Sequence, residues 1–143
     1  MTDLYSQAKP VYWLDRLATL RTGVSPAPVH VQMVLSDLCN QDCGFCAYRM
    51  SSGLSNELFP EGNRKNPNRM IPADKAREII DDCAAVGVKA IQFTGGGEPT
   101  MHPEHLDVFA RAQAHGIATA LVTNGVRLDA THPAVRAMSW IRV

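Results

Sequence analysis

Cys39-Asn40-Gln41-Asp42-Cys43-Gly44-Phe45-Cys46 packs three cysteines into eight residues, spaced C-x3-C-x2-C. A stretch this short can curl its sulfurs toward one centre, and thiolate is the soft ligand taken by zinc, copper(I) and iron–sulfur clusters. Three crowded thiols make a poor disulfide framework, and the fourth cysteine, Cys83, stands far away in the chain. A closed structural zinc site wants four ligands, usually as two separated pairs, and no second pair follows; zinc would need Asp42 or a histidine as its fourth ligand. A [4Fe–4S] cubane is usually held by four cysteines, so one held by three leaves an iron open to an outside ligand. The triplet alone leaves three readings: a zinc-stabilised binding module, an iron–sulfur electron carrier, and a cluster with an open iron that does chemistry.

The elements around the triplet indicate where it sits. Val29-His30-Val31-Gln32-Met33-Val34-Leu35 alternates and then turns apolar, which predicts a strand with the cysteine loop hanging from its end. Ahead of it, Pro10 opens a helix whose Val11, Leu14, Leu17 and Ala18 recur at helical spacing up to Gly23, and Ser25-Pro26-Ala27-Pro28 forms a linker. Residues 1–28 are therefore expected to be an N-terminal helix and linker packing on the edge of a core formed by residues 29–143. Residues 49–70 lack periodicity and read as a long loop. Pro72 starts a helix with Ala76, Ile79, Ile80, Cys83 and Ala84 on one stripe and Gly87 as a left-handed cap. Val88 to Phe93 is a second strand, Pro103 opens a helix with Leu106, Phe109 and Ala110 inward, and Gly116 stops it. Ile117 to Val122 is a third strand, Thr131 to Met138 a short helix, and Trp140-Ile141-Arg142-Val143 the start of a fourth strand.

This strand–helix alternation predicts an α/β fold with a parallel sheet and right-handed crossovers. Its loops at the C-terminal strand ends are where such folds build their sites. At roughly 30 residues per βα unit, the chain has room for about four. It is expected to be the N-terminal part of a longer core, ending in its fourth strand with an open edge for a C-terminal half or a partner chain to cover.

Two further stretches fall at those strand ends. Thr94-Gly95-Gly96-Gly97-Glu98-Pro99 follows the second strand, and Leu121-Val122-Thr123-Asn124-Gly125 closes the third. Glycine lets backbone approach a ligand closely and take φ > 0, and Glu98 offers a carboxylate to an ammonium. With the cysteine triplet, in this order, they resemble the motifs of the radical S-adenosylmethionine (radical SAM) enzymes over roughly residues 29–143. The resemblance implies a partial (β/α) barrel and a [4Fe–4S] cluster on Cys39, Cys43 and Cys46. It implies S-adenosylmethionine on the fourth iron, cleaved by one electron to a 5′-deoxyadenosyl radical that takes hydrogen from a substrate. It also implies an external electron donor of the flavodoxin or ferredoxin type. By the same resemblance Gly96, Gly97 and Glu98 face the methionine end, with Glu98 on its amino group. Phe45 sits at the adenine, and Thr123 and Asn124 reach the nucleoside or carboxylate. The family pattern has two glycines, so alignment from Glu98 leaves Gly95 outside it.

Composition narrows the partners. Lys+Arg 14 balance Asp+Glu 14, which argues against a broad nucleic-acid or anionic-membrane surface. No apolar run approaches the length of a membrane helix, and Met1-Thr2-Asp3-Leu4-Tyr5 lacks the features of a signal peptide, so the expected compartment is cytoplasmic. Cys83 reads as a small core hydrophobe. His30, His102, His105, His115 and His132 read as surface or capping groups, with a substrate role for His102 and His105 the sharper alternative. Arg64, Lys65 and Arg69 read as a solvated loop.

Overall fold

The computed structural model describes residues 9–46, 48 and 69–143. Four strands, β1 (His30–Val34), β2 (Ala90–Thr94), β3 (Ala118–Val122) and β4 (Trp140–Arg142), form one parallel sheet in chain order. Helix α1 (Leu14–Leu20), after a 3-10 turn over Lys9–Trp13, precedes β1. Helices α2 (Ala73–Ala85), α3 (His105–Ala114) and α4 (Pro133–Arg136) make the three crossovers.

Two identical caps set the sheet's spacing. After α2, Gly87 takes φ +82°, the Gly87 N–H reaches Ala84 O at 3.0 Å, and the Val88 N–H reaches Cys83 O at 2.9 Å. After α3, Gly116 takes φ +71°, with Gly116 to Gln113 O at 2.9 Å and Ile117 to Ala112 O at 3.1 Å. This 6→1 and 5→2 pattern needs a left-handed residue, which glycine supplies without strain. In both caps the following residue, Val88 or Ile117, is buried and turns the chain directly into the next strand.

The register Met33↔Phe93↔Leu121 lines up one face of the sheet, and α2 and α3 cover it with Ala76, Ile80, Val108, Phe109 and Ala112. Phe93 and Phe109 stack with centroids 4.5 Å apart. Ile79, Cys83, Ala84 and Leu106 pack at the margin of the same core, as their spacing predicts. Burial pushes the Cys83 thiol above its ordinary pKa, with Asp82 adding to the effect.

Four details differ from the sequence reading. Helix α3 begins at His105, because Pro99–Met101 forms a separate 3-10 turn, and Ala110 faces solvent while Val108 and Ala112 are buried. Helix α4 is shorter than its apolar span, because Asp129 holds Thr131 in its own turn and His132 caps the helix through Ala134 N–H. The apolar stripe of α1 does not pack on the core: Leu14, Leu17 and Leu20 are all exposed. What holds α1 is Arg16, which donates to Ala27 O, to Pro28 O at 3.2 Å and to Gly87 O at 2.6 Å. Lastly, Arg69 is no solvated loop residue: it donates to Asp37 O at 2.7 Å, and its Nε is buried. Arg64, Lys65 and the rest of the long loop up to residue 68 lie outside the described residues. Among the described residues no helix is long and apolar enough to cross a membrane.

Candidate functional site

The C-terminal ends of β1, β2 and β3 surround a cavity of about 550 Å³, lined among others by Cys39, Cys43, Cys46, Glu98, Thr123 and Asn124. Each wall comes from a different strand end, as expected for parallel α/β folds.

The β1 end is fixed before it reaches the first cysteine. Ser36 Oγ accepts the Leu38 N–H at 2.9 Å, and Ser36 pairs with Met70 in an antiparallel bridge. The Asp37 N–H donates to Arg69 O at 2.8 Å. The glycine-rich turn then clamps this segment: Gly97 N–H donates to Ser36 O at 3.0 Å and Glu98 N–H to Leu38 O at 2.7 Å. None of Gly95, Gly96 and Gly97 has positive φ; a Cβ on Gly95 would run into the Gly97 backbone where the turn folds back on itself, while Gly96 and Gly97 face another loop. A Cβ on Gly97 would lie 2.2 Å from Leu38 O, and one on Gly96 would lie 2.4 Å from Asp37 Oδ1. The glycines let two loops of the protein touch, and that contact sets where Cys39 begins.

Glu98 is 2% exposed and still forms part of the cavity wall. Its Oε1 accepts from Thr100 N at 3.1 Å, Thr100 Oγ1 at 2.7 Å and Thr123 Oγ1 at 2.6 Å. Its Oε2 accepts from Asn124 N at 2.7 Å. A carboxylate offers about four lone-pair sites over its two oxygens, so the remaining accepting capacity lies on Oε2. Hydrogen bonds on both oxygens offset part of the cost of burying this carboxylate.

The structure thus brings every sequence-predicted site residue to one cavity, in different states. Cys39, Cys43 and Cys46 are free and half-buried. Phe45 lines the cavity and is 87% exposed. Thr123 is buried, its hydroxyl donating to Glu98 and accepting the Gly125 N–H at 3.0 Å. The Asn124 side chain donates to Asn40 Oδ1 at 2.7 Å. Sequence reasoning missed Thr100, whose cue is Pro99: proline at a first helical position marks Glu98 as the cap of a short turn. Of the two histidines considered for substrate, His102 is buried, with Nε2 on Ile71 O at 2.8 Å and Nδ1 accepting from Glu104 N at 3.2 Å. His105 binds His102 O through Nδ1 at 2.7 Å.

The donor set fits an iron–sulfur cluster. Cys39, Cys43 and Cys46 line one cavity and none is in a disulfide, and three soft thiols are the donors such a cluster takes. A cubane takes one thiol per iron, so its sulfurs are spread around the cluster.

The radical SAM superfamily model matches residues 33–139, which include all three motifs. The chain belongs to the radical SAM superfamily. Relatives of this radical SAM chain include an S-adenosylmethionine-dependent nucleotide dehydratase from Flammeovirga pacifica, 31% identical over 99 residues. That match covers 69% of this chain and 31% of the relative. An AdoMet-dependent heme synthase from Methanosarcina barkeri is 29% identical over 106 residues, 74% of this chain and 27% of the relative. In fold the chain resembles Streptococcus suis SuiB bound to precursor peptide SuiA, with TM-score 0.63 and 20% identity over 99% of this chain and 30% of SuiB. The chain therefore spans less than a third of these proteins. Its four parallel strands with helices on one face are the first units of the partial (β/α) barrel.

Proposed function

We propose that this chain carries the cofactor half of a radical SAM active site, with Cys39, Cys43 and Cys46 each holding one iron of a [4Fe–4S] cluster. The bound cluster and S-adenosylmethionine supply one-electron cleavage of the sulfonium and a 5′-deoxyadenosyl radical. The chain's own residues bind and orient. Glu98 Oε2 accepts the methionine ammonium, and Gly96 and Gly97 bring the turn against the cysteine loop so that carboxylate and thiols share one cavity. Phe45 packs at the adenine end, where its backbone reads the base. Thr123 and the Asn124 N–H act on the cofactor through Glu98, which they hold. The electron comes from an external flavodoxin- or ferredoxin-like donor that the exposed cysteine loop leaves room to approach.

The observation that carries this reading is a buried, four-fold hydrogen-bonded carboxylate on the wall that three free thiols also line. An electron carrier has no use for such a group. The relatives are named for nucleotide, haem and peptide chemistry, yet share this segment, which supports placing the common cofactor step here and substrate choice elsewhere.

Anaerobic reconstitution with iron and sulfide tests it. The reduced chain should show a [4Fe–4S] EPR signal that changes on adding S-adenosylmethionine, and Glu98→Gln should weaken that response. A signal indifferent to S-adenosylmethionine, or one zinc per colourless chain, would overturn the proposal.

A further inference from the structure

We infer that Asn124 is a positioning residue for the cluster: its side-chain amide hydrogen-bonds the Cys39 sulfur and so raises the cluster's reduction potential. The inference rests on the [4Fe–4S] reading above. Asn124 lies just past the end of β3, on the cavity wall where it meets the cysteine loop. Its Nδ2 has two hydrogens, and two acceptors face them: Asn40 Oδ1 at 2.7 Å and Cys39 Sγ at 3.7 Å. Its Oδ1 accepts the Val126 N–H at 3.1 Å, which fixes the orientation of the amide and turns the NH2 toward the loop. Its backbone N–H is on Glu98. A nucleoside would have to displace one of these bonds to gain a donor from Asn124.

Cys39 is set apart from its neighbour in this respect. Its sulfur also accepts the Gln41 N–H at 3.4 Å, whereas Cys43 Sγ faces an acceptor, Gln41 Oε1, at 3.5 Å. Reduction adds one electron to the cluster from the external donor, with no bond made or broken at Asn124 and no proton moved. An N–H aimed at a ligand sulfur draws off part of that added charge and favours the reduced form. Asn124 therefore links two parts of the site: its backbone steadies the carboxylate and its side chain biases the metal centre.

EPR-monitored redox titration of the reconstituted full chain, poised with dithionite and mediators, tests this. At the wild-type midpoint, Asn124→Leu should lower the ratio of reduced to oxidised cluster about threefold, about 30 mV at 59 mV per tenfold. Asn40→Ala removes the neighbouring acceptor but leaves the sulfur contact, so its ratio should stay within a factor of about 1.5. Wild-type chain labelled with 15N in its asparagine side-chain amides should show nitrogen hyperfine coupling to the reduced cluster, whether or not the variants load. Absence of that coupling, an unchanged ratio in Asn124→Leu, or an equal shift in Asn40→Ala would overturn the inference while leaving the proposed function standing. A wild-type chain that assembles no S-adenosylmethionine-responsive cluster would overturn the proposed function, and the inference with it.

Discussion

Thr123 Oγ1 donates to Glu98 Oε1 at 2.6 Å, tying the ends of β3 and β2 together through one buried hydrogen bond. The same hydroxyl accepts from Gly125 N, so it is oriented before it meets the carboxylate. Glu98 cannot turn away from the cavity without breaking this bond and the one from Asn124 N–H.

Thr123→Val, which keeps the shape and removes the donor, should lower unfolding free energy by roughly 1.5–3 kcal/mol, the range for a buried hydrogen bond to a charged group. Thr123→Ser should recover most of it. Urea titration measures both, and an unaltered midpoint in the valine variant would contradict the role given to Thr123.

The glycines near the site should respond in a fixed order. Gly97→Ala drives a methyl group into the Leu38 and Asp37 backbone, which has no free rotor to yield. We expect a loss of about 1–3 kcal/mol, the usual range for overpacking, and poor cluster loading. Gly96→Ala meets a side-chain oxygen of Asp37 rather than backbone, so its loss should be smaller. Gly44→Ala enters open space and should be nearly silent. Thermal melts of the three variants check the order, and equal losses at positions 96 and 97 would refute the packing argument.

His105 should contribute a pH-dependent part of the stability. Burial of its ring holds its pKa below 6.5, opposed by its bond to the His102 carbonyl. The folded state thus favours the neutral ring, and the unfolded chain binds more protons in the window just below 6.5. Stability from this group is complete above the unfolded pKa and declines as pH falls through the lower, folded one. His105→Asn keeps a donor near the Nδ1 position without the titration. The fall in urea midpoint between pH 7.5 and 5 should be shallower in that variant than in the wild type.

Arg16→Ala should release α1 without unfolding the core. The three carbonyls it reaches, those of Ala27, Pro28 and Gly87, join the helix to the linker and to the α2 cap. Hydrogen exchange should rise over residues 14–20, and the Trp13 fluorescence should shift as the Arg16 guanidinium, 5.8 Å from its ring, is lost. Exchange in β2 and β3 should not change.

Local pattern alone determined much of this protein. Apolar spacing in Ala76, Ile80 and Phe109, with glycine at positions 87 and 116, gave the helix faces and ends, because a helix's period and its left-handed cap are properties of a few consecutive residues. The parallel sheet and the placement of three motifs at strand ends followed from the same alternation. Only the tertiary structure decided how those motifs work together. The glycine-rich turn is shaped by contact with Asp37 and Leu38, some sixty residues earlier. Thr123 and Asn124 are bound to Glu98, 25 and 26 positions away, and that pairing depends on the register of β2 against β3. The stripe of α1 looked like a packing face, but Arg16 finds three carbonyls that no periodicity encodes. The physical reason is the same in each case: burial patterns are written into neighbouring residues, while a hydrogen bond's partner is chosen by whichever backbone the fold carries within about 3 Å.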